Sequence, residues 1–212
     1  MPTKKKPAPR KKRTKTATKQ KSPGQWVWVF DPPKVTTNAM FDVTVSLVDV
    51  EPKIWRRFLL ARTATFAELH QAIQDACGWE NYHAWAFRDA KGRDDIAGVF
   101  EDVPDGRRVK LAAHVGAKGA RFVYEYDFGD GWLHRVDVTS TDETGGVRRL
   151  VDGARSFPPE DCGGLGGYER YAEFIETGVD PWSEDAADVK RWLGRWTPDG
   201  FKYATVAKKF DA

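Results

Sequence analysis

Cysteine is scarce in this chain of 212 residues, which contains only Cys77 and Cys162. Two cysteines are too few for a disulfide framework, and they lack the paired spacing of a zinc knuckle, so we expect free thiols. No run approaches the roughly 18 consecutive apolar residues that a transmembrane helix needs, and the N-terminus lacks the apolar h-region of a secretory signal. We therefore expect a cytoplasmic protein that has no membrane partner.

Acidic residues are absent from the first 25 positions, while the rest of the chain carries 24 cations and 31 anions, a net charge of −7. Like charges mixed with Pro, Thr and Ala cannot bury enough apolar surface to offset the entropy of ordering. The sequence thus predicts a disordered basic tail over residues 1–25 and a folded domain over residues 26–212. The cations of the tail are Lys4, Lys5, Lys6, Arg10, Lys11, Lys12, Arg13, Lys15, Lys19 and Lys21.

Such a tail is suited to a polyanion, and DNA or RNA is the partner that it predicts. If about six cations contacted phosphates, the logarithm of the binding constant would fall with that of the salt concentration at a slope of roughly −5. This binding would be independent of base sequence. Two alternatives stay open, because the tail could simply keep the protein soluble or could contact its own acidic domain.

Hydrophobic periodicity predicts a β-hairpin followed by a helix. Apolar and polar residues alternate over residues 41–47, and the apolar segment 54–60 follows a Pro-containing break, which is the pattern of two paired strands. Thr65 and Glu68 have the spacing of a capping box, and Gly78 supplies a left-handed residue, so a helix is predicted over residues 66–77.

The order of these elements predicts an α+β fold with a β-grasp-like mixed sheet and a helix packed across it. Further strands are expected from about residue 84 onward. Residues 180–196 carry acidic side chains early and basic ones late, so we predict a helix capped by Ser183 among the C-terminal helices.

The segment 121–139 contains two alternating runs around Gly129-Asp130-Gly131. A three-residue loop there would pair Phe128 with Trp132 and Tyr126 with His134, and all four side chains would share one face. His134 is therefore predicted to point inward.

The same segment resembles the signature of the plasmid pRiA4b ORF-3-like family, Y-x-Y-D-F-G-D-x-W-x-H. The resemblance covers roughly residues 38–208 and includes a similar helix motif and a matching glycine-rich segment. The motif positions are Tyr124, Tyr126, Asp127, Phe128, Gly129, Asp130, Trp132, His134, Pro159, Glu160, Asp161, Gly163 and Gly164. The resemblance implies an α+β domain without an established biochemical role. The label resolvase-like and an association with mobile elements come with the resemblance. No serine here, however, has the setting of a recombinase nucleophile.

This chain departs from a common pattern of the family, in which cysteines precede the glycine-rich segment. The corresponding positions are Leu150 and Phe157, so any metal or thiol chemistry of those cysteines would be lost here. Apolar residues at both positions predict packing instead.

Four residues are candidates for catalysis, namely Asp127, Asp130, His134 and Glu160, and Asp161, His70 and His83 could join them around a divalent ion. No spacing among them is diagnostic. An Asp in a tight turn normally accepts backbone N–H groups, and a His on a buried strand face is more often a hydrogen-bonded core residue. The sequence accordingly predicts no cofactor and no defined metal site.

The glycine-rich segment, residues 158–168, could in principle cradle a phosphate, but Glu160 and Asp161 would repel it and no P-loop lysine follows. A conformational hinge or a tight packing turn is the favoured interpretation, with a helix expected from Tyr168 to Thr177. Cys162 has no neighbouring cation in the sequence that would activate it as a nucleophile.

Nine tryptophans raise the question of base stacking. Trp55, Trp79, Trp85 and Trp132 fall in predicted core elements. Any of Trp26, Trp28 or Trp182 that is exposed could stack on bases. The favoured hypothesis is a non-enzymatic α+β binding module with a nucleic-acid-binding tail, and the alternative is a metal-dependent or acid/base hydrolase.

Overall fold

The computed structural model describes residues 39–212 and, before them, the backbone of two strands, β1 (Thr18–Ser22) and β2 (Gln25–Val29). These two strands pair antiparallel and belong to a unit separate from that of residues 34–212. Most of the predicted tail lies outside the described residues, so its disorder and the domain boundary at residue 26 stay predictions.

The domain is built on a seven-stranded sheet whose strand order is β6-β5-β7-β8-β3-β4-β9. The strands are β3 (Ala39–Leu47), β4 (Trp55–Ala61), β5 (Trp85–Arg88), β6 (Asp95–Gly98), β7 (Ala120–Tyr126), β8 (Trp132–Thr144) and β9 (Arg149–Ala154). The helices of the described residues are α1 (Phe66–Cys77), α2 (Gly164–Thr177), α3 (Ala186–Leu193) and α4 (Tyr203–Phe210). The α+β class is confirmed, and none of these helices is both long and apolar enough to cross a bilayer.

Every strand pairing in this sheet is antiparallel, so the prediction of a mixed sheet is wrong. The β-grasp-like topology is not confirmed either. After α1 the chain does not return beside β3; it enters β5, which pairs with β7. The long β7–β8 hairpin therefore lies between β5 and the first hairpin, and no strand pair of this sheet is parallel.

The predicted first hairpin and helix are confirmed. Strands β3 and β4 pair with Val43 opposite Phe58, and the inward side chains of β3 alternate with polar ones. The hydroxyl of Thr65 accepts the N–H of Glu68 at 3.1 Å, and the Glu68 carboxylate accepts the N–H of Thr65 at 2.6 Å. Gly78 ends α1 with φ of 87°. This helix buries its apolar stripe in the core.

The β7–β8 register differs from the prediction by two residues. Tyr126 pairs with Trp132 and Tyr124 with His134, so the loop spans residues 127–131 rather than 129–131. A shift of two preserves the faces, and Tyr124, Tyr126 and His134 are fully buried as expected. Phe128 is the exception, because it lies in the loop, 41% exposed, against the Phe100 ring.

Two helix starts also differ from the predictions. Helix α2 begins at Gly164 rather than Tyr168, since the left-handed Gly163 already turns the chain. Helix α3 is capped by Asp185, whose carboxylate accepts the N–H groups of Ala187 and Asp188, while Ser183 has φ of 65° and is not the cap. The acidic residue nearer the helix is the better-placed acceptor.

Core and surface occupy opposite faces of the sheet. The inward faces of β3, β7 and β8 carry aromatic and β-branched side chains against α1. The outward face is charged, with Arg57 bound to Asp42 at 2.6 Å and Arg121 bound to Asp137 at 2.6 Å. Exposed arginines paired with half-buried aspartates thus cover this face of the sheet.

Candidate functional site

Three segments meet at the end of the sheet where the motif residues lie. They are the motif turn (residues 127–131), the post-helix loop (residues 79–84) and the glycine-rich segment. The Asp130 carboxylate accepts the N–H of Gly163 at 3.1 Å, and the Trp79 indole donates to the Pro158 carbonyl at 2.9 Å. A Cβ on Gly164 would lie 2.5 Å from the Asp130 carbonyl oxygen, so glycine is needed for this approach.

Asp127 organises the motif turn. It adopts φ of 54°, a left-handed conformation that Asp tolerates, and its Oδ1 accepts the N–H groups of Gly129 at 3.0 Å and Asp130 at 3.3 Å. The side chain is nearly buried, and its Oδ2 lies 3.6 Å from Nε2 of His83. Capping of the turn therefore occupies one oxygen and leaves the other facing the post-helix loop.

Glu160 holds the post-helix loop against β7. Its carboxylate accepts the hydroxyl proton of Tyr126 and the N–H of Glu80, the latter at 2.6 Å. Burial, together with this hydrogen bond, raises the pKa of Tyr126. The Tyr126 hydroxyl in turn accepts the N–H of Tyr82 at 3.0 Å. The contacts of Glu160 therefore fix the loop that carries His83.

His134 lies inside the core. Its Nδ1 faces the carbonyl oxygens of Trp132 at 3.0 Å and Tyr124 at 3.3 Å, which places the proton on Nδ1. Burial lowers its pKa to about 4. Among the described residues, no hydrogen bond or ion pair joins His134 to Asp127, Asp130 or Glu160, so the four predicted candidates do not form one site.

His83, Asp127 and Asp161 do come together. One ligand atom from each lies within 4.8 Å of the other two, and His83 Nε2 donates to Asp161 at 2.8 Å. Asp127 is nearly buried, His83 is half-buried and Asp161 is exposed, so the cluster opens to solvent. Sequence reasoning named all three as ligand types but could not group them, because each comes from a different loop.

His70 belongs to a separate buried network. Its ring stacks on Trp85 with centroids 4.4 Å apart, Nδ1 meets the Tyr124 hydroxyl at 2.7 Å, and Nε2 meets Asn81 Oδ1 at 2.8 Å. Burial lowers its pKa to about 4. The neutral ring joins α1 to β7 and does not contact the His83 cluster through any hydrogen bond of the described residues.

The glycine-rich segment forms a tight packing turn, which is one of the two interpretations that its sequence favoured. A Cβ on Gly167 would lie 1.7 Å from the Cys162 carbonyl oxygen. Cys162 is a free, buried thiol whose pKa is raised to about 12 by burial, which removes it as a nucleophile at neutral pH. Leu150 and Phe157 are buried in the core, as their apolar character predicted.

The predicted nucleic-acid contacts can be placed only in part. Lys4, Lys5, Lys6, Arg10, Lys11, Lys12, Arg13 and Lys15 lie outside the described residues, and Lys19 and Lys21 lie in β1, described by its backbone alone. Trp26 and Trp28 lie likewise in β2.

The four tryptophans predicted to lie in core elements are not all buried. Trp79, Trp85 and Trp132 are buried, whereas Trp55 is only half-buried. Trp182 is 60% exposed, and the Arg170 guanidinium lies 4.4 Å from its ring centroid.

The chain is similar in sequence and in structure to known proteins. The model of the plasmid pRiA4b ORF-3-like protein family matches residues 39–205. The uncharacterized protein y4hQ of Sinorhizobium fredii (strain NBRC 101917 / NGR234) is 39% identical over 158 residues, covering 71% of this chain and 78% of that protein. The crystal structure of MM3350, a protein of unknown function from Methanosarcina mazei Go1, superposes with a TM-score of 0.69 at 30% identity, covering 80% of this chain and 98% of that one.

Proposed function

The chain belongs to the plasmid pRiA4b ORF-3-like family, and we propose that this member is a non-enzymatic binding module whose Lys/Arg-rich N-terminal segment contacts DNA or RNA without sequence specificity. One observation carries the proposal. The first 25 residues contain ten cations and no anion, while the remainder of the chain has a net charge of −7.

This separation of charge favours contact with phosphates through one part of the molecule. Each phosphate that is neutralised releases a condensed counterion, so affinity arises from the cationic segment and decreases steeply with salt. The negative domain opposes adsorption of nucleic acid over its whole surface. Three of the candidate carboxylates support the non-enzymatic assignment, since Asp127, Asp130 and Glu160 already accept backbone N–H groups.

Gel retardation of a DNA and an RNA duplex of equal length tests the proposal. We expect the full chain to retard both at low salt, with a salt slope of roughly −5 for about six phosphate contacts. A full-length variant in which the eight cations between Lys4 and Lys15 become glutamine should lose most of this affinity.

A scrambled variant is the matched control, because residues 1–17 in shuffled order keep the charge and change the sequence. It should bind as the natural chain does. If the glutamine variant retarded the nucleic acids as strongly as the natural chain does, the N-terminal segment would not be the binding element. Loss of binding in the scrambled variant would contradict recognition by charge alone.

A second candidate is a metal-dependent hydrolase, and the proximity of His83, Asp127 and Asp161 favours it. One imidazole nitrogen and two carboxylates are a donor set that suits Mn²⁺ or Zn²⁺. In this candidate the metal site uses His83 and Asp161 in place of His134. The test is calorimetric titration with Mn²⁺. The exposed Asp161→Asn should abolish binding while the equally exposed Asp94→Asn preserves it, and equal behaviour of the two variants would reject this candidate.

A further inference from the structure

A second feature of the domain lies away from the motif residues, at the start of α4. There an open cavity of about 240 Å³ is lined by charged, hydroxyl and aromatic side chains. Those used below are Arg56, Ser156, Phe157, Phe201, Lys202 and Thr205.

Arg56 is a buried cation that has no carboxylate within ion-pair distance among the described residues. Its side chain is 2% exposed. Nε donates to the Ala76 carbonyl at 3.1 Å, and Nη1 lies 2.8 to 3.1 Å from the carbonyl oxygens of Trp55, Ala154 and Arg155. No partner for Nη2 is present in the described part of the chain, and the side chain lines the cavity.

Aromatic packing holds this guanidinium in place. Its Cζ lies 3.9 Å from the Phe201 ring centroid and 4.9 Å from that of Phe157. Gly153 completes the packing, because a Cβ there would lie 2.7 Å from Cδ of Arg56. The guanidinium is therefore held at the wall of the cavity by close contacts on several sides.

The isolation of this charge is energetically unfavourable. A buried cation without an anion loses its hydration, and carbonyl dipoles compensate only in part. Burial accordingly lowers the pKa of Arg56 to about 10. Asp199 forms its ion pair with Arg155, at 3.1 Å, and not with Arg56. A bound anion at Nη2 would supply the missing charge.

The start of α4 shows the same lack of an anion. Lys202 occupies the N-cap position, and no side chain caps the helix there. Ser, Thr, Asp or Asn is preferred at an N-cap, and a cation is unfavourable because the helix dipole is positive at this end. A residue that contradicts its local setting in this way is expected at functional sites.

We propose that this cavity binds a small oxyanion, a phosphate or a carboxylate. Arg56 Nη2 and the Lys202 ammonium supply the charge, the hydroxyls of Ser156 and Thr205 supply hydrogen bonds, and the first-turn N–H groups of α4 face the anion. One anion would satisfy the buried guanidinium and the uncapped helix together. This site does not rest on the nucleic-acid proposal.

Calorimetric titration of the full chain with inorganic phosphate, and separately with acetate, tests the proposal at constant ionic strength. Saturable binding of one anion per chain is expected for at least one of them, and which of the two binds identifies the group as phosphate or carboxylate. Lys202→Ala should weaken that binding by about tenfold or more, since a charge-assisted hydrogen bond is lost.

Lys209→Ala is the matched control, because it removes one exposed cation of α4 outside the cavity. It should bind as the natural chain does. Arg56→Gln should abolish binding if circular dichroism shows it folded, and the exposed Lys202 carries the test if it is not. Absence of saturable binding by either anion, or equal weakening in Lys202→Ala and Lys209→Ala, would overturn the proposal.

Discussion

Two buried histidines contribute to the response of the domain to acid. His70 and His134 are neutral in the folded chain, and burial lowers the pKa of each to about 4. Protonation of either ring in place would put an uncompensated charge among aromatic side chains. Both imidazoles gain a proton freely only when the chain unfolds.

The sign of the pH dependence follows from these pKa values. Between about pH 6.5 and 4 these two histidines bind more protons in the unfolded chain than in the folded one. The stability that the neutral rings contribute is therefore fully present above pH 6.5 and is lost as the pH falls toward 4. Each histidine should contribute up to about 3 kcal/mol, at about 1.4 kcal/mol per pH unit. Urea unfolding between pH 7 and 4 measures this. In His134→Gln the decline should be shallower, and a variant as steep as the natural chain would contradict the assignment.

The sequence pattern predicted the inward position of His134 but not its separation from the carboxylates. Alternation along β8 sets the face of a side chain, and a register error of two residues leaves that face unchanged. The grouping of His83 with Asp127 and Asp161 depends instead on how three loops meet in space. No local pattern encodes that arrangement, so the sequence indicated the ligand types without the site.

At the scale of elements, the sequence predicts a helix or strand correctly where the interactions that stabilise it lie within the same short segment. Helix α1 has its capping box, apolar stripe and terminal glycine within fourteen residues, Thr65 to Gly78, and its prediction is confirmed. The β7–β8 turn is different, because Asp127 leaves the extended conformation to cap its own turn, which moves Phe128 out of the strand. The two glycines predicted a turn at this position but did not determine its length.

The capping box provides a test at this scale. Thr65→Ala should lower the free energy of unfolding by about 1 kcal/mol, because the N–H of Glu68 loses its acceptor at the start of α1. The nearby Thr63 is exposed. Thr63→Ala should therefore stay within about 0.5 kcal/mol of the natural chain in chemical denaturation. Equal losses in the two variants would show that the box contributes nothing.

At the scale of the whole molecule, stability should be distributed from the middle of the sheet outward. Strands β3, β7 and β8 are each paired on both sides, and their inward side chains form much of the core. Strand β6 is four residues long, and β5 is the only named strand that pairs with it. Its last residue, Gly98, also makes backbone hydrogen bonds with Pro104 and Gly106, so residues 95–97 form its open part. Local opening requires less free energy where fewer contacts are lost.

Hydrogen exchange measures this distribution directly. Amide protons of Val43, Tyr124 and Val136 should exchange most slowly, through global unfolding, and those of β6 should exchange much faster. Slow exchange in β6 equal to that of β8 would contradict this order and would indicate that its edge is covered by something beyond the described residues.

The two margins of the sheet have one more consequence. At one margin, strand β6 is short and its pairing with β5 contains a bulge. At the other margin, both backbone groups of Leu150 in β9 are hydrogen-bonded at α4: the N–H donates to Asp211, just after the helix, at 2.8 Å, and the carbonyl accepts the Tyr203 hydroxyl at 3.0 Å. Within the described part of the chain, one margin is therefore short and the other is partly hydrogen-bonded, which limits pairing with a neighbouring copy. Even at high concentration, folded copies should therefore not assemble into amyloid-like fibres through their sheet edges.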